Sequence, residues 1–132
     1  MTLVDTNILV YAAGREHAHK RRSAAFLLAV AGGEVEAAID SEVLQEILHR
    51  YRFLGRWKDG AAVYEEARLV FRDVFPVTAE VTDQARRILD GEASLTARDA
   101  VHAAVVKVYG LTSICSFDRD FDRIPGLKRI EP

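Results

Sequence analysis

Apolar positions along the chain fall into short runs separated by stretches of helical period. Leu3-Val4 belongs to a short apolar run that ends in Asp5 and reads as a buried strand. A helix is expected over about Thr6–Ala13. Another is expected over about Ala18–Ala31, stopped by Gly32-Gly33. Val35–Ile39 predicts a second strand. Ser41 is placed to cap a helix that reaches about Leu54, where Gly55 ends it. Within that helix Val43, Leu44, Ile47, Leu48 and Tyr51 form an apolar stripe. Ala61–Phe71 predicts an amphipathic helix and Pro76-Val77 a short strand. Two more helices are expected over Ala79–Leu89 and Ala97–Tyr109, the latter ended by Gly110. Thr112–Ser116 reads as an apolar strand, and Leu127–Ile130 as a last edge strand.

Strands alternating with helices predict an α/β fold. The expected architecture is three-layered, with a parallel sheet of four to five strands covered by helices on both faces. No repeat, low-complexity tract or linker interrupts the pattern, so residues 1–132 are expected to form a single domain. Right-handed crossovers put all strand C-termini on one edge, where open α/β sheets bind their ligands. Chemistry is therefore sought at strand ends and at the starts of the helices that follow.

Composition changes this picture little. Apolar residues make up 49% and charged residues 29%, a globular balance. The longest uninterrupted apolar stretch, Ala24–Ala31, is far too short to span a bilayer, so no membrane association is expected. The opening MTLVDTN has no basic region followed by an apolar one, so no secretory signal is expected. The single cysteine, Cys115, lies in an apolar segment and reads as a buried, reduced thiol of a cytoplasmic protein. The formal net charge is −2, so no general basic field marks a nucleic-acid binder. Charge is distributed locally instead. Arg15, Lys20, Arg21 and Arg22 lie together with His17 and His19, and Arg50, Arg52, Arg56 and Lys58 form a second group. Each group also fits a solvated helix face.

Four acids stand out by position. Asp5 ends the first strand, where it could also cap the next helix. Asp99 lies in the first turn of a helix that is apolar nearly all round. Thr96-x-x-Asp99 also matches a capping box. Asp118 follows the strand ending at Ser116 and is nearer that end than Asp120 or Asp122, although Ser116–Asp120 could be only a turn. On the helical wheel Glu46 flanks the apolar stripe beside Val43 and Ile47. Glu42 points away from the stripe and reads as an ordinary solvent-facing acid. Clustered carboxylates repel and raise one another's pKa, and a divalent cation removes that cost. Oxygen ligands without nearby Cys or paired His favour Mg²⁺ or Mn²⁺ over Zn²⁺. That arrangement suits phosphodiester hydrolysis.

The histidines form no competing site: His17 and His19 are in a polar stretch, His49 is on a solvent face, and His102 reads as a satisfied packing residue. No Gly-rich phosphate loop and no G-x-S-x-G motif is present. Two rival functions use acids on an α/β sheet. An aspartyl-phosphate phosphatase needs a second Asp two residues after Asp5, where this chain has Asn7. A non-catalytic, receiver-like binding module needs an acidic pair after the first strand and a Lys after a late one. Here the pair is missing and Asp118 is followed by Arg119.

The segments MTLVDTNILVYA, SEVLQEILHR, LTARDAVHAAVVKVYG and SICSFDRDFDRIPGLKRIEP occur in that order over the whole chain. Together they resemble the PIN domain family, and specifically VapC-like toxins of type II toxin–antitoxin systems. The resemblance implies a parallel sheet sandwiched by helices, a homodimer, Mg²⁺ or Mn²⁺, endonucleolytic cleavage of RNA, and inhibition by a small cognate antitoxin. Residue by residue, the family's acidic quartet falls on Asp5, Glu46, Asp99 and Asp118. Its supporting polar positions fall on Asn7 and Ser116. Within the quartet, Asp5 and Asp99 are expected to hold the metal directly or through water, Asp118 to complete the site, and Glu46 to bind a metal-bound water or act as general base.

Overall fold

A computed structural model describes all of residues 1–132. Five strands form one parallel sheet: β1 (Thr2–Val4), β2 (Ala37–Asp40), β3 (Val74–Phe75), β4 (Ser113–Cys115) and β5 (Arg129–Ile130), in the order β3-β2-β1-β4-β5. Between them run six helices: α1 (Thr6–Ala13), α2 (Lys20–Ala31), α3 (Ser41–Phe53), α4 (Trp57–Val70), α5 (Ala79–Gly91) and α6 (Ala97–Val108). A short 3₁₀ turn spans Arg119–Arg123.

The strands show why the sheet is covered twice. Leu3 of β1 pairs with Ile114 of β4, and Val4 with Cys115. Leu3 and Ile114 pack with residues of α5 and α6, whereas Val4 and Cys115 pack with residues of α1 to α4. Alternate strand residues thus feed two apolar cores, the period-two behaviour of a doubly covered parallel sheet. The expected three-layer α/β/α architecture is observed. No helix is long and apolar enough to cross a membrane.

Several expected boundaries move, for identifiable reasons. The third strand is Val74–Phe75, not Pro76-Val77. Pro76 has no N–H to give a ladder, and the Val77 N–H donates to Ser41 Oγ at 3.0 Å instead of to a strand. Helix α3 is capped by Asp40 rather than Ser41: Asp40 Oδ1 accepts from the Val43 N–H at 2.9 Å. Accordingly β2 extends over Ala37–Asp40 instead of Val35–Ile39. Helix α2 starts at Lys20, two residues later than expected. Leu48, assigned to the apolar stripe of α3, is exposed.

Helix α4 begins at Trp57, a full turn before the expected Ala61, and so contains Gly60. Glycine is a poor helix former, yet here the neighbouring helix requires it. A Cβ at position 60 would lie 2.4 Å from Cβ of the buried Tyr51 on α3. At an open helix position Gly→Ala stabilises by about 1 kcal/mol. At this crossing overpacking reverses the sign: Gly60→Ala should lower stability by roughly 2 kcal/mol and the melting temperature by several degrees. Thermal unfolding of the variant checks this, and a higher melting point than wild type refutes it.

Candidate active site

The C-terminal ends of β1 and β4 and the start of α6 open onto a cavity of about 390 Å³. Asp5, Glu46, Asp99 and Asp118 all line it, together with Asn7, so the structure brings the acids singled out in the sequence to one place. Asp5 follows β1, Glu46 lies in α3, Asp99 opens α6, and Asp118 follows β4.

Ser116 organises the β1–β4 side. Its buried hydroxyl donates to Asp5 Oδ2 at 2.5 Å and accepts from Asn7 Nδ2 at 3.1 Å and from the Asp118 N–H at 3.0 Å. One hydroxyl thus fixes the end of β1, the start of α1 and the turn after β4, using both its donor and its acceptor capacity. Asp5 sits at the N-cap position of α1, but its carboxylate caps nothing, because the Ser116 contact draws it away. Asp118 does both jobs. It lines the cavity while Oδ1 accepts from the Asp120 N–H at 2.9 Å. Asp99 likewise lines the cavity, with its own N–H donated to Thr96 Oγ1 at 3.2 Å, half of the expected capping box.

The Glu46 side holds the largest departure from the sequence reading. His102 is fully buried. Nδ1 faces Asp40 Oδ2 at 2.7 Å and Nε2 faces Glu46 Oε1 at 2.8 Å. It is satisfied, as expected, but by two acids, one of them in the cavity. Burial disfavours charge on the ring, yet Asp40 and then Glu46 outweigh it and hold the His102 pKa well above its ordinary value. Both ring nitrogens are taken by carboxylates, so His102 as placed offers no free nitrogen to a metal although it lies close to Asp5 and Glu46.

The acids consequently split in their proton affinity. Burial pushes Asp5 up to about 6 despite the counteracting charge of His102. Burial also raises Asp99, with Asp118 adding repulsion. Burial pushes Glu46 up as well, but the hydrogen bond and charge of His102 more than reverse that, and Glu46 ends below the usual carboxylate range. The general upward shift expected of clustered acids therefore fails at Glu46. Glu42 is a second correction. It is half-buried, not solvent-facing, and its carboxyl is raised by burial and then by Glu46. It does not line the cavity.

Asp120 was passed over in favour of Asp118, yet carboxylate oxygens of Asp99, Asp118 and Asp120 lie within 4.8 Å of one another. Asp122 turns away to pair with Arg129 at 2.9 Å. Two arginines, Arg50 and Arg98, also line the cavity, and neither enters an ion pair. The donor set suits a hard divalent cation. It is made of oxygens only, and a further buried oxygen on α1, Asn7 Oδ1, has no hydrogen-bond partner. Cys115 behind the site is a free, buried thiol whose pKa burial pushes up to about 12, so it is inert.

Comparison with known proteins gives a consistent result. The family model for the PIN domain matches residues 2–127. The chain is 38% identical over 130 residues to ribonuclease VapC13 of Mycobacterium tuberculosis, covering 98% of this chain and 99% of that one. In structure it is similar to Mycobacterium tuberculosis VapC20, a toxin that cleaves the sarcin–ricin loop. The TM-score there is 0.78 at 22% identity, covering 100% of both chains. It is also similar to a chain in a toxin–antitoxin complex from Klebsiella pneumoniae, with a TM-score of 0.67 at 19% identity over 96% of this chain and 95% of that one. The chain belongs to the PIN domain family, within its VapC-like branch.

Proposed function

We propose that this chain is an endoribonuclease that hydrolyses RNA phosphodiester bonds with a divalent cation, and that it is the toxin of a toxin–antitoxin pair. The observation that carries the reading is the meeting of four carboxylates in one cavity of a chain 38% identical to a named ribonuclease. Residues 1–132 act as one nuclease domain. Asp5 and Asp99 hold the cation and Asp118 completes the set, with Asp120 beside it. Mg²⁺ suits these hard ligands best, and Mn²⁺ serves in its place. When bound, the cation polarises the scissile phosphate and stabilises the leaving oxygen. Glu46, kept ionised by His102, accepts the proton of the attacking water. Ser116 and Asn7 hold Asp5 and the Asp118 backbone in place, and Arg98 draws the phosphate in. A small cognate antitoxin is the natural partner of a cytoplasmic enzyme of this kind, as in the Klebsiella complex, and a second copy of the chain makes a homodimer.

Purified protein incubated with total RNA should cut it in Mg²⁺ or Mn²⁺ and not in EDTA, with new ends located by primer extension. Undiminished cutting in EDTA sinks the mechanism, and no cutting with either metal sinks the function.

The two glutamates of α3 should behave differently. Glu46→Gln should slow cleavage by about 100-fold or more, the usual scale for loss of a general base. Because Glu46 is ionised by a buried partner, the variant should also lose some stability at neutral pH. Glu42→Gln should change the rate only a few-fold. Equal rates in the two variants remove Glu46 from the site.

The raised pKa of Asp5 predicts a pH effect on the metal-free protein. Asp5 titrates near 6 in the fold and near its ordinary 3.8 when unfolded. Between those values the native state keeps a proton that the unfolded chain has released. Stability therefore falls as pH rises from about 4 to about 6, and stays lower above that. The shift corresponds to roughly 3 kcal/mol. Asp5→Asn removes the loss while keeping an acceptor for Ser116. In EDTA the variant should melt several degrees above wild type at pH 7.5 and level with it at pH 4, read by differential scanning fluorimetry. Identical melting at pH 7.5 refutes the buried-charge account.

A further inference from the structure

The two basic groups noted in the sequence lie on separate segments of the chain, yet the fold brings Arg15 and His17 of the first and Arg50 and Arg56 of the second together beside the acidic cavity. A second cavity of about 390 Å³ adjoins the first, and the two share Val10, Tyr11 and Arg50 as a common wall. The sign of the lining changes across that wall. The first cavity holds four carboxylates. The second holds Arg15, Arg50, Arg56 and His17 and no acid. Arg56 is engaged, paired with Asp59 at 2.9 Å. Arg15 and Arg50 are exposed and enter no ion pair, so their guanidinium groups are free for a ligand.

Tyr11 between the cavities is held rather than mobile. Its ring packs edge-on against His19 at 5.0 Å and Phe117 at 5.6 Å, and tilts over His17 at 4.8 Å. His19 in turn stacks on Phe117 at 3.7 Å. A fixed aromatic ring flanked by unpaired arginines is the arrangement that binds single-stranded nucleic acid: cations take the backbone and the ring takes a base at little entropic cost.

We propose that the second cavity is a subsite for the RNA strand next to the scissile phosphate, with Arg15 and Arg50 on neighbouring backbone phosphates and Tyr11 against a base. The ligand is single-stranded RNA, and the cavity volume is of the size that accommodates one small ligand such as a nucleotide. Arginine suits the task, since its planar fork matches phosphate oxygens. The assignment rests on the ribonuclease reading above and adds how the substrate is held.

The test measures binding apart from cleavage. A fluorescein-labelled single-stranded RNA 12-mer is titrated by fluorescence anisotropy in Ca²⁺ buffer, under conditions where the RNA remains intact, over a range of KCl. The variants are Arg15→Ala/Arg50→Ala, Tyr11→Leu, Tyr11→Phe, and Arg87→Ala on α5 as a charge control. The double arginine variant should bind about tenfold more weakly and lose about 1.4 from the slope of log affinity against log salt, the release expected for two phosphate contacts on a single strand. Tyr11→Leu should weaken binding, and Tyr11→Phe should restore it. Arg87→Ala should leave affinity and slope unchanged. Both arginines are exposed and unpaired, so melting temperatures should match wild type and exclude misfolding. If wild type cuts RNA but the double variant keeps wild-type affinity and slope, the subsite is overturned and the cavity is left to a protein partner. If wild type neither cuts nor binds RNA, the ribonuclease reading itself fails.

Discussion

The molecule is organised around one buried cation. The His102 imidazolium lies between Asp40 and Glu46, with both ring nitrogens within 2.8 Å of a carboxylate oxygen and no exposure to solvent. Such a group adds little net stability, because the attraction mainly repays the desolvation of the charges. Removing one partner is another matter and costs about 3–5 kcal/mol. The consequence is register. The end of β2, the second turn of α3 and the first turns of α6 must meet at one point for the charge to be neutralised. Asp40 is central to this, since one carboxylate caps α3 through Oδ1 and faces His102 through Oδ2. Helix α6 comes close enough because Ala100, Ala103 and Ala104 pack with Leu3 and Ile114 of the sheet. The small side chains and the histidine are parts of one solution: the alanines permit the approach and His102 fixes its depth.

The same contact divides the acids of the cavity into two kinds. Glu46 has a cation of its own inside the protein and is ionised more easily than a free glutamate. For Asp5, burial outweighs both the nearby His102 charge and the Ser116 hydroxyl; for Asp99, burial is joined by repulsion from Asp118, so both resist ionisation. Carboxylates tuned apart in one site serve different roles. The lowered one keeps its charge at neutral pH without an added ligand. The raised ones are relieved by an outside positive charge, and they lie where the orphaned Oδ1 of Asn7 also lacks a partner. Electrostatic strain is thus confined to the positions where a ligand would relieve it.

How far these features were legible follows from what each depends on. Asp5, Asp99 and Asp118 could be read because parallel topology sends every strand end to one edge, and a one-dimensional pattern suffices to find strand ends. Glu46 could be read from the angle it makes with Val43 and Ile47. His102 could not, because its meaning lies in Asp40 and Glu46, 62 and 56 residues away, and no local period encodes that meeting. The error at Ser41 has the same origin. Ser and Asp are equally good caps by type, and the choice was made by Val77, whose N–H claims the serine hydroxyl. The expected start at Ala61 left the first turn of α4 out, whereas the helix begins at Trp57 and its Gly60 is fitted to Tyr51 on another element. Glu42 was misplaced by a wheel that treats solvent as the only alternative to the core; Glu46 and Arg98 act on it from the cavity side. For His102 and Ser41 the missed information is a contact between segments distant in sequence.

A chain of net charge −2 can still hold a polyanion, because the field that matters is local. Without a cation the first cavity presents carboxylates to an approaching phosphate, and only Arg50 and Arg98 oppose them. A divalent cation would offset the charge that Arg50 and Arg98 leave uncompensated, and a cation and an RNA strand held side by side would then favour each other reciprocally. Arg50 stands in the wall shared by both cavities and feels both states. His102 is already shared between Asp40 and Glu46, so it does not cancel the acids of the cavity, and their charge is left for a ligand to offset.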